Sequence, residues 1–358
     1  MAQAKPKLLV VTTGGTIGMV RGDSGVARPP ESQDEFHQML AGVEDRYELS
    51  VLPLSNRDSS DALPPDWAEI ARSVHAGVDD GFDGFVVTHG TDTLAHSAAA
   101  VAFALGPPPH RQPVVFTGAM RTPQDAGYDG QANLEAACRV AAGPLGEVAV
   151  VFAGKIFRAT RVEKIDAVSL DAFAAPEPHG LGRVDAQVML HDDAARRSDS
   201  HPEPRWPLEA AFAQRVATVA LTPGLEPELY APLIEDDAPC RGVLLRALGA
   251  GNVPGRAPSD WVSWIRRATR LDIPVVLTSP FRGGRTDRSG YAASAAALDA
   301  GAIALGDLST PCAEVKLRHS IAAALERGAG VCEFVRNVMA HNFFGELGGT
   351  PQSTEPQD

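Results

Sequence analysis

No stretch of the 358 residues approaches the roughly 18 consecutive apolar residues that a membrane-crossing helix needs. Positive charge is in short supply: 32 Lys and Arg against 45 Asp and Glu give a formal charge of −13. No cationic excess exists to neutralise phosphates, which argues against a nucleic-acid partner. The four cysteines, Cys138, Cys240, Cys312 and Cys332, stand far apart and form no C-x-x-C pair. Buried free thiols are therefore expected, rather than a zinc site or a disulfide framework. Ten histidines and four tryptophans are scattered without metal-ligand spacing, so no metal is expected. The start of the chain, Met1 to Lys7, is short and polar and runs directly into Leu8-Leu9-Val10-Val11. It lacks the apolar region and cleavage site of a signal peptide, and the expected location is the cytoplasm. No internal repeat or low-complexity tract is evident.

What is present is an alternation. Short apolar runs recur at Leu8–Val11, Phe85–Val87, Pro113–Phe116 and Val148–Phe152, then at Val219–Leu221, Gly242–Leu245 and Pro274–Leu277. Segments with helical spacing lie between them, among them Asp66–Val78, Leu94–Leu105, Ala132–Ala142, Trp261–Thr269 and Ala313–Leu325. Val-rich strands alternating with helices predict an α/β fold with a mostly parallel sheet covered by helices on both faces. The segment Arg196–Trp206 is polar and proline-containing, which suits a linker. The expected organisation is a larger N-terminal catalytic domain over 1–195, a linker over 196–212, a smaller C-terminal α/β domain over 213–340 and a tail over 341–358, of which the last dozen or so residues are expected to fray.

Polar clusters follow the strands, where open α/β sheets keep their ligands. Thr88-His89-Gly90-Thr91-Asp92-Thr93 sits between a strand and a helix, so adjacent Thr91 and Asp92 can line one pocket. Capping of the following helix is the bland alternative. The first strand ends in Thr12-Thr13-Gly14-Gly15-Thr16-Ile17-Gly18, whose paired glycines allow a tight turn and a close approach to a ligand. That turn matches neither G-x-G-x-x-G nor G-x-x-x-x-G-K-[ST], which argues against a nucleotide. Asp58-Ser59-Ser60-Asp61, Thr117-Gly118-Ala119-Met120-Arg121 and Arg161-Val162-Glu163-Lys164 complete the set, each with a capping or solvated reading beside a functional one.

With these residues in view, the chain resembles the bacterial-type L-asparaginases, the amidohydrolase family that includes asparaginase–glutaminases. The resemblance rests on Thr13-Gly14-Gly15-Thr16-Ile17 and Thr88-His89-Gly90-Thr91-Asp92-Thr93. It extends to Asp58-Ser59-Ser60-Asp61, Gly118-Ala119-Met120-Arg121, Asp129-Gly130 with Asn133-Leu134, the placing of Lys164, and Gly249-Ala250-Gly251-Asn252, from residue 7 to about 325. It implies a two-domain α/β fold, assembly as a homodimer or homotetramer, and hydrolysis of the side-chain amide of L-asparagine to L-aspartate and ammonia. By the same resemblance Thr16 is the primary nucleophile, and Thr91, Asp92 and Lys164 form a second triad. Ser59 and Asp92 would hold the substrate's α-carboxylate and α-ammonium, with Asp58 beside them, and the backbone at Ala119 would receive the side-chain amide. The chemistry suits these residue types: an amide needs a nucleophile, a proton acceptor and oxyanion donors. A threonine hydroxyl needs a base, and Thr91–Lys164 is the evident pair. No cofactor is required.

Two features depart from the family pattern. Its members usually carry a lid tyrosine against the primary threonine. The tyrosines here are Tyr47, Tyr128, Tyr230 and Tyr291, none between Thr16 and Pro30, and Val26 stands near the expected place. The segment Arg282–Asp287 also lacks the glutamate that some members supply across a subunit contact. These departures leave two alternatives to asparagine hydrolysis: an amidohydrolase for a modified or larger asparaginyl-type amide, met by Arg21 and Arg28 of the lid, or a non-catalytic amino-acid-binding paralogue.

Overall fold

The Val-rich runs form the centre of a sheet because they are buried on both faces, as parallel strands under helices must be. The computed structural model describes residues 4–21, 27–28, 40, 42–108, 112–176, 180–197, 207–235, 240–286 and 292–348. The chain divides into two compact units, Met1–Ala210 and Ala211–Asp358.

In the first unit the strands are β1 (Lys7–Thr12), β2 (Glu48–Pro53), β3 (Gly84–Thr88), β4 (Val114–Thr117) and β5 (Val148–Phe152), which are mutually parallel in the order β2-β1-β3-β4-β5. Beyond β5 the sheet turns antiparallel through β6 (Lys155–Arg158), and a short hairpin follows from β7 (Glu163–Lys164) and β8 (Phe173–Ala174). The strands β9 (Gly182–Val184) and β10 (Val188–Leu190) then extend the edge beside β6. Three helices cover this sheet: α1 (Pro64–Asp79), α2 (Leu94–Leu105) and α3 (Gly130–Ala141). In α1 the prolines take the first turn, Asp66 accepts from the Leu63 amide at 2.7 Å, and Trp67, Ile70, Ala71 and Val74 face the core at helical spacing. Alternate strand residues Leu8, Val10, Val86, Val115, Ala149 and Val151 pack with Leu134, Ala137 and Cys138 of α3.

The second unit has its own parallel sheet of β11 (Val216–Ala220), β12 (Gly242–Arg246), β13 (Val275–Thr278) and β14 (Ile303–Ala304) in sequential order, with α4 (Trp261–Arg270), α5 (Ala292–Asp299), α6 (Thr310–Arg327) and α7 (Val331–Ala340). The expected tail follows α7, and its end, from residue 349 on, lies outside the described residues. Over 341–348 it packs into the unit: Glu346 is fully buried and accepts from the Lys316 amine at 2.6 Å, which also donates to the His341 carbonyl at 2.7 Å. A buried charge pair of this kind holds only because each charge finds its partners. Among the described residues, no helix is long and apolar enough to cross a membrane.

Cys138, Cys240 and Cys312 are buried free thiols, and burial pushes Cys138 up to about 12 from its ordinary 9.0. The fold favours the neutral thiol, so the stability this contributes is complete below pH 9 and is lost as the pH rises toward 12. Urea unfolding between pH about 8 and about 11 is expected to show this alkaline loss in the wild type and a shallower slope in Cys138→Ala.

Candidate active site

The order β2-β1-β3-β4-β5 reverses direction between β1 and β3, and open α/β sheets keep their ligands beyond the carboxyl ends of the strands at such a point. Three strand-end turns meet at this place, and glycine sets how closely. Gly15 (φ 86°, ψ 172°) lies so near the second turn that a Cβ on it would stand 2.5 Å from the Gly90 nitrogen and 2.6 Å from its Cα. A Cβ on Gly90 would in turn stand 2.6 Å from the Ser59 side chain, and one on Gly118 would stand 2.5 Å from the His89 carbonyl oxygen. Hydrogen bonds tie the same pieces together. The Thr13 amide and hydroxyl both donate to the Thr88 carbonyl (3.1 and 2.9 Å), the His89 amide to the Thr117 carbonyl (2.9 Å), and the Thr93 hydroxyl to the Ser59 carbonyl (2.7 Å). Thr16 follows Gly15 and Thr91 follows Gly90, so each threonine is the neighbour of a glycine that touches the other turn.

The Lys164 amine arrives from the β7–β8 hairpin, where Lys164 pairs in register with Phe173, whose ring packs 4.7 Å from that of Phe152 on β5. Its Nζ donates to Thr91 Oγ1 at 2.8 Å and to Asp92 Oδ1 at 2.6 Å, contacts that span 73 and 72 residues of chain. The lysine side chain is 18% exposed and the aspartate side chain 66%. One carboxylate oxygen therefore holds the amine while the group as a whole faces solvent.

The remaining residues expected at the site take different parts. Ser59 is buried against Gly90 in the short helical turn Ser59–Asp61, which Asp58 caps by accepting from the Ser60 amide (2.8 Å) and hydroxyl (2.6 Å). These hydrogen bonds hold the Asp58 carboxyl below the usual carboxylate range. Ala119 is buried in the third turn, and beside it the Asp129 carboxylate accepts from the amides of Met120 (3.1 Å) and Arg121 (3.0 Å). Asn133 on α3 donates to the Gly118 carbonyl and to Asp129, both at 3.0 Å. Val26, and the rest of the expected lid apart from the backbone of Arg21, Ala27 and Arg28, lies outside the described residues. Two contacts at the site carry no signal in the residue types. Tyr128 donates its hydroxyl to the Ile17 carbonyl at 2.7 Å, next to Thr16. His89 is buried with Nδ1 2.8 Å from the Gly90 carbonyl and Nε2 2.9 Å from the Ser97 hydroxyl. A carbonyl only accepts, so Nδ1 carries the proton and Nε2 accepts from Ser97; burial holds the ring neutral by lowering its pKa. Among the described residues no group of three or more His, Cys, Asp or Glu is placed to hold a metal ion.

Comparison with known proteins accounts for both units of the chain. The asparaginase N-terminal domain matches residues 7–196, and the glutaminase/asparaginase C-terminal domain matches residues 215–329. Both are domains of amide-hydrolysing enzymes, and the chain is an amidohydrolase. It belongs to the asparaginase family. The L-asparaginase of Thermococcus kodakarensis is 32% identical over 96% of this chain and 100% of its own length, and its solved structure superposes with a TM-score of 0.84, covering 96% of this chain and 99% of that one. L-asparaginase 1 of Escherichia coli is 31% identical over 96% of this chain and 98% of its own. A component of the glutamyl-tRNA(Gln) amidotransferase of Aeropyrum pernix is also 31% identical, over 96% of this chain and 80% of its own.

Two outcomes follow from the packing of the turns. Gly15→Ala places a methyl group into Gly90 at a backbone angle that only glycine adopts readily, and a loss on the order of 3 kcal/mol of stability is expected by denaturant titration. Because His89 is held neutral, the stability it contributes is present above pH 6.5 and is lost as the pH falls through its depressed folded value. Thermal unfolding in acid is expected to fall more steeply for the wild type than for His89→Gln.

Proposed function

We propose that the protein hydrolyses the side-chain amide of L-asparagine to L-aspartate and ammonia. The observation that carries this reading is the amine of Lys164 at 2.8 Å from the Thr91 hydroxyl and 2.6 Å from the Asp92 carboxylate. Asp92, with one oxygen engaged and most of its side chain open, is the counter-ion for the α-ammonium; Ser59, with Asp58 shaping its turn, receives the α-carboxylate. The side-chain amide then lies between the two threonines and the Ala119 backbone. The Thr16 hydroxyl attacks the amide carbon and its proton passes to the departing nitrogen, so that an ester forms as the C–N bond breaks and ammonia leaves. A water then attacks the ester carbon while its proton passes through Thr91 to Lys164; as the C–O bond to Thr16 breaks, that proton is returned to the Thr16 oxygen, leaving aspartate and the free hydroxyl. Backbone amides of the turns stabilise the developing oxyanion, and the scheme uses no cofactor.

A larger asparaginyl-type amide is the second reading, favoured by the similarity to the Aeropyrum pernix amidotransferase component. The formal charge of −13 offers no cationic excess for RNA phosphates and weighs toward a free amino acid. The buried free thiols support a reducing, cytoplasmic setting. Assembly into homodimers or homotetramers belongs to the same reading.

Purified protein is expected to release ammonia from L-asparagine. Lys164→Met and Thr91→Val should each lower kcat by roughly a hundred-fold or more while the chain stays folded by circular dichroism. Silence of the wild type at tens of millimolar asparagine, or full activity of Lys164→Met, defeats the proposal.

A further inference from the structure

Tyr128 is the tyrosine whose place in the fold the expected machinery does not use. Its hydroxyl donates to the carbonyl of Ile17 across 111 residues of chain, at 2.7 Å. Ile17 directly follows Thr16 in the single turn Thr16–Gly18, which has one backbone hydrogen bond of its own, from the Met19 amide to the Thr16 carbonyl at 3.2 Å. A turn with so little internal structure takes its orientation from outside contacts. On its N-terminal side Gly15 abuts Gly90, and the Ile17 side chain is buried among core residues that include Leu134 of α3. The Tyr128 hydroxyl adds a third outside contact, made directly to the peptide that follows Ile17.

The tyrosine is itself held. Its ring lies across the first residue of α3, where a Cβ on Gly130 would come within 2.2 Å of the hydroxyl oxygen and 2.4 Å of Cζ. The next residue, Asp129, is bound to the Met120 and Arg121 amides and to Asn133. Burial pushes the phenol up to about 12, so at neutral pH it carries the proton that it donates to the Ile17 carbonyl.

We propose that Tyr128 is a positioning residue for Thr16, fixing through the Ile17 carbonyl the direction in which the Thr16 hydroxyl faces the substrate amide. The inference rests on the proposed function, in which Thr16 accepts the acyl group. A nucleophile held by a short turn loses rate steeply with small errors of placement, whereas substrate affinity is set by Asp92 and Ser59, which Tyr128 does not touch.

The test compares wild type, Tyr128→Phe and Gly130→Ala with L-asparagine. Tyr128→Phe removes only the donor; Gly130→Ala keeps the donor and displaces the ring. Both are expected to lower kcat about ten-fold with KM within about two-fold. The thermal midpoint of Tyr128→Phe should stay near the wild-type value, and less aspartyl adduct should accumulate on Thr16 in acid-quenched turnover of both variants. A Tyr128→Phe enzyme with wild-type kcat overturns the inference, as does a loss shared equally by kcat, KM and the thermal midpoint. Failure of the wild type to release ammonia overturns instead the reading on which the inference rests.

Discussion

Two stretches of backbone touch at the end of the larger sheet, and the site is arranged around that contact. Strand β1 pairs with β2 on one side and with β3 on the other, and open α/β sheets keep their ligands beyond the strand ends at such a switch point. Strand order alone does not give how closely the turns that leave β1 and β3 approach. That closeness comes from Gly15 against Gly90, each without the Cβ that would push the other away. The cost is backbone freedom lost on folding, and the bonds from Thr13 to Thr88 and from His89 to Thr117 offset it by extending the ladder past the strand ends.

The Lys164–Asp92 pair has a different character. With the carboxylate side chain 66% exposed, the attraction is screened and contributes little to stability, at most roughly 1 kcal/mol. The amine is nevertheless delivered on a two-residue strand whose partner, Phe173, is anchored by ring packing on β5. Under the proposed function the placing of this pair answers to chemistry rather than to stability. The contrast with Lys316 and Glu346 is direct. That pair is buried, is completed by backbone partners and closes the C-terminal segment onto its unit.

How much of this was legible depended on whether a signal was local. The central strands read clearly, since runs such as Phe85–Val87 and Val148–Phe152 are apolar on both faces. Strand β2 gave no such run: Glu48–Pro53 lies at the edge beside β1, with its ends exposed and its middle half-buried, so it needs no continuous apolar stretch. The helix α1 announced itself by its prolines and its apolar spacing. The end of the chain did not: the partners of Glu346 are 30 residues back on α6 and two residues away, and its charge suggests solvent until Lys316 is seen. At the site, Thr16, Thr91 and Asp92 were visible as strand-end groups. That Lys164 joins them depends on a hairpin with almost no length, and only resemblance to a family pointed to it. Tyr128 carried no mark, because what it bonds is a carbonyl, and a backbone acceptor leaves no trace in residue types.

The geometry around Asp92 also says how binding and chemistry are coupled in the proposed reaction. At rest the carboxylate has one partner, the Lys164 amine at 2.6 Å, and that amine also donates to Thr91. A lysine donating to a threonine oxygen holds that hydroxyl in place without activating it. A substrate bringing an α-ammonium competes for the same carboxylate. In the proposed reaction the carboxylate is then shared between the newcomer and the Lys164 amine, so that the ligand's charge and the contact on Thr91 meet at one group. An amide without an α-ammonium would leave the resting pair intact, and on that reading selectivity for amino-acid amides would arise at Asp92.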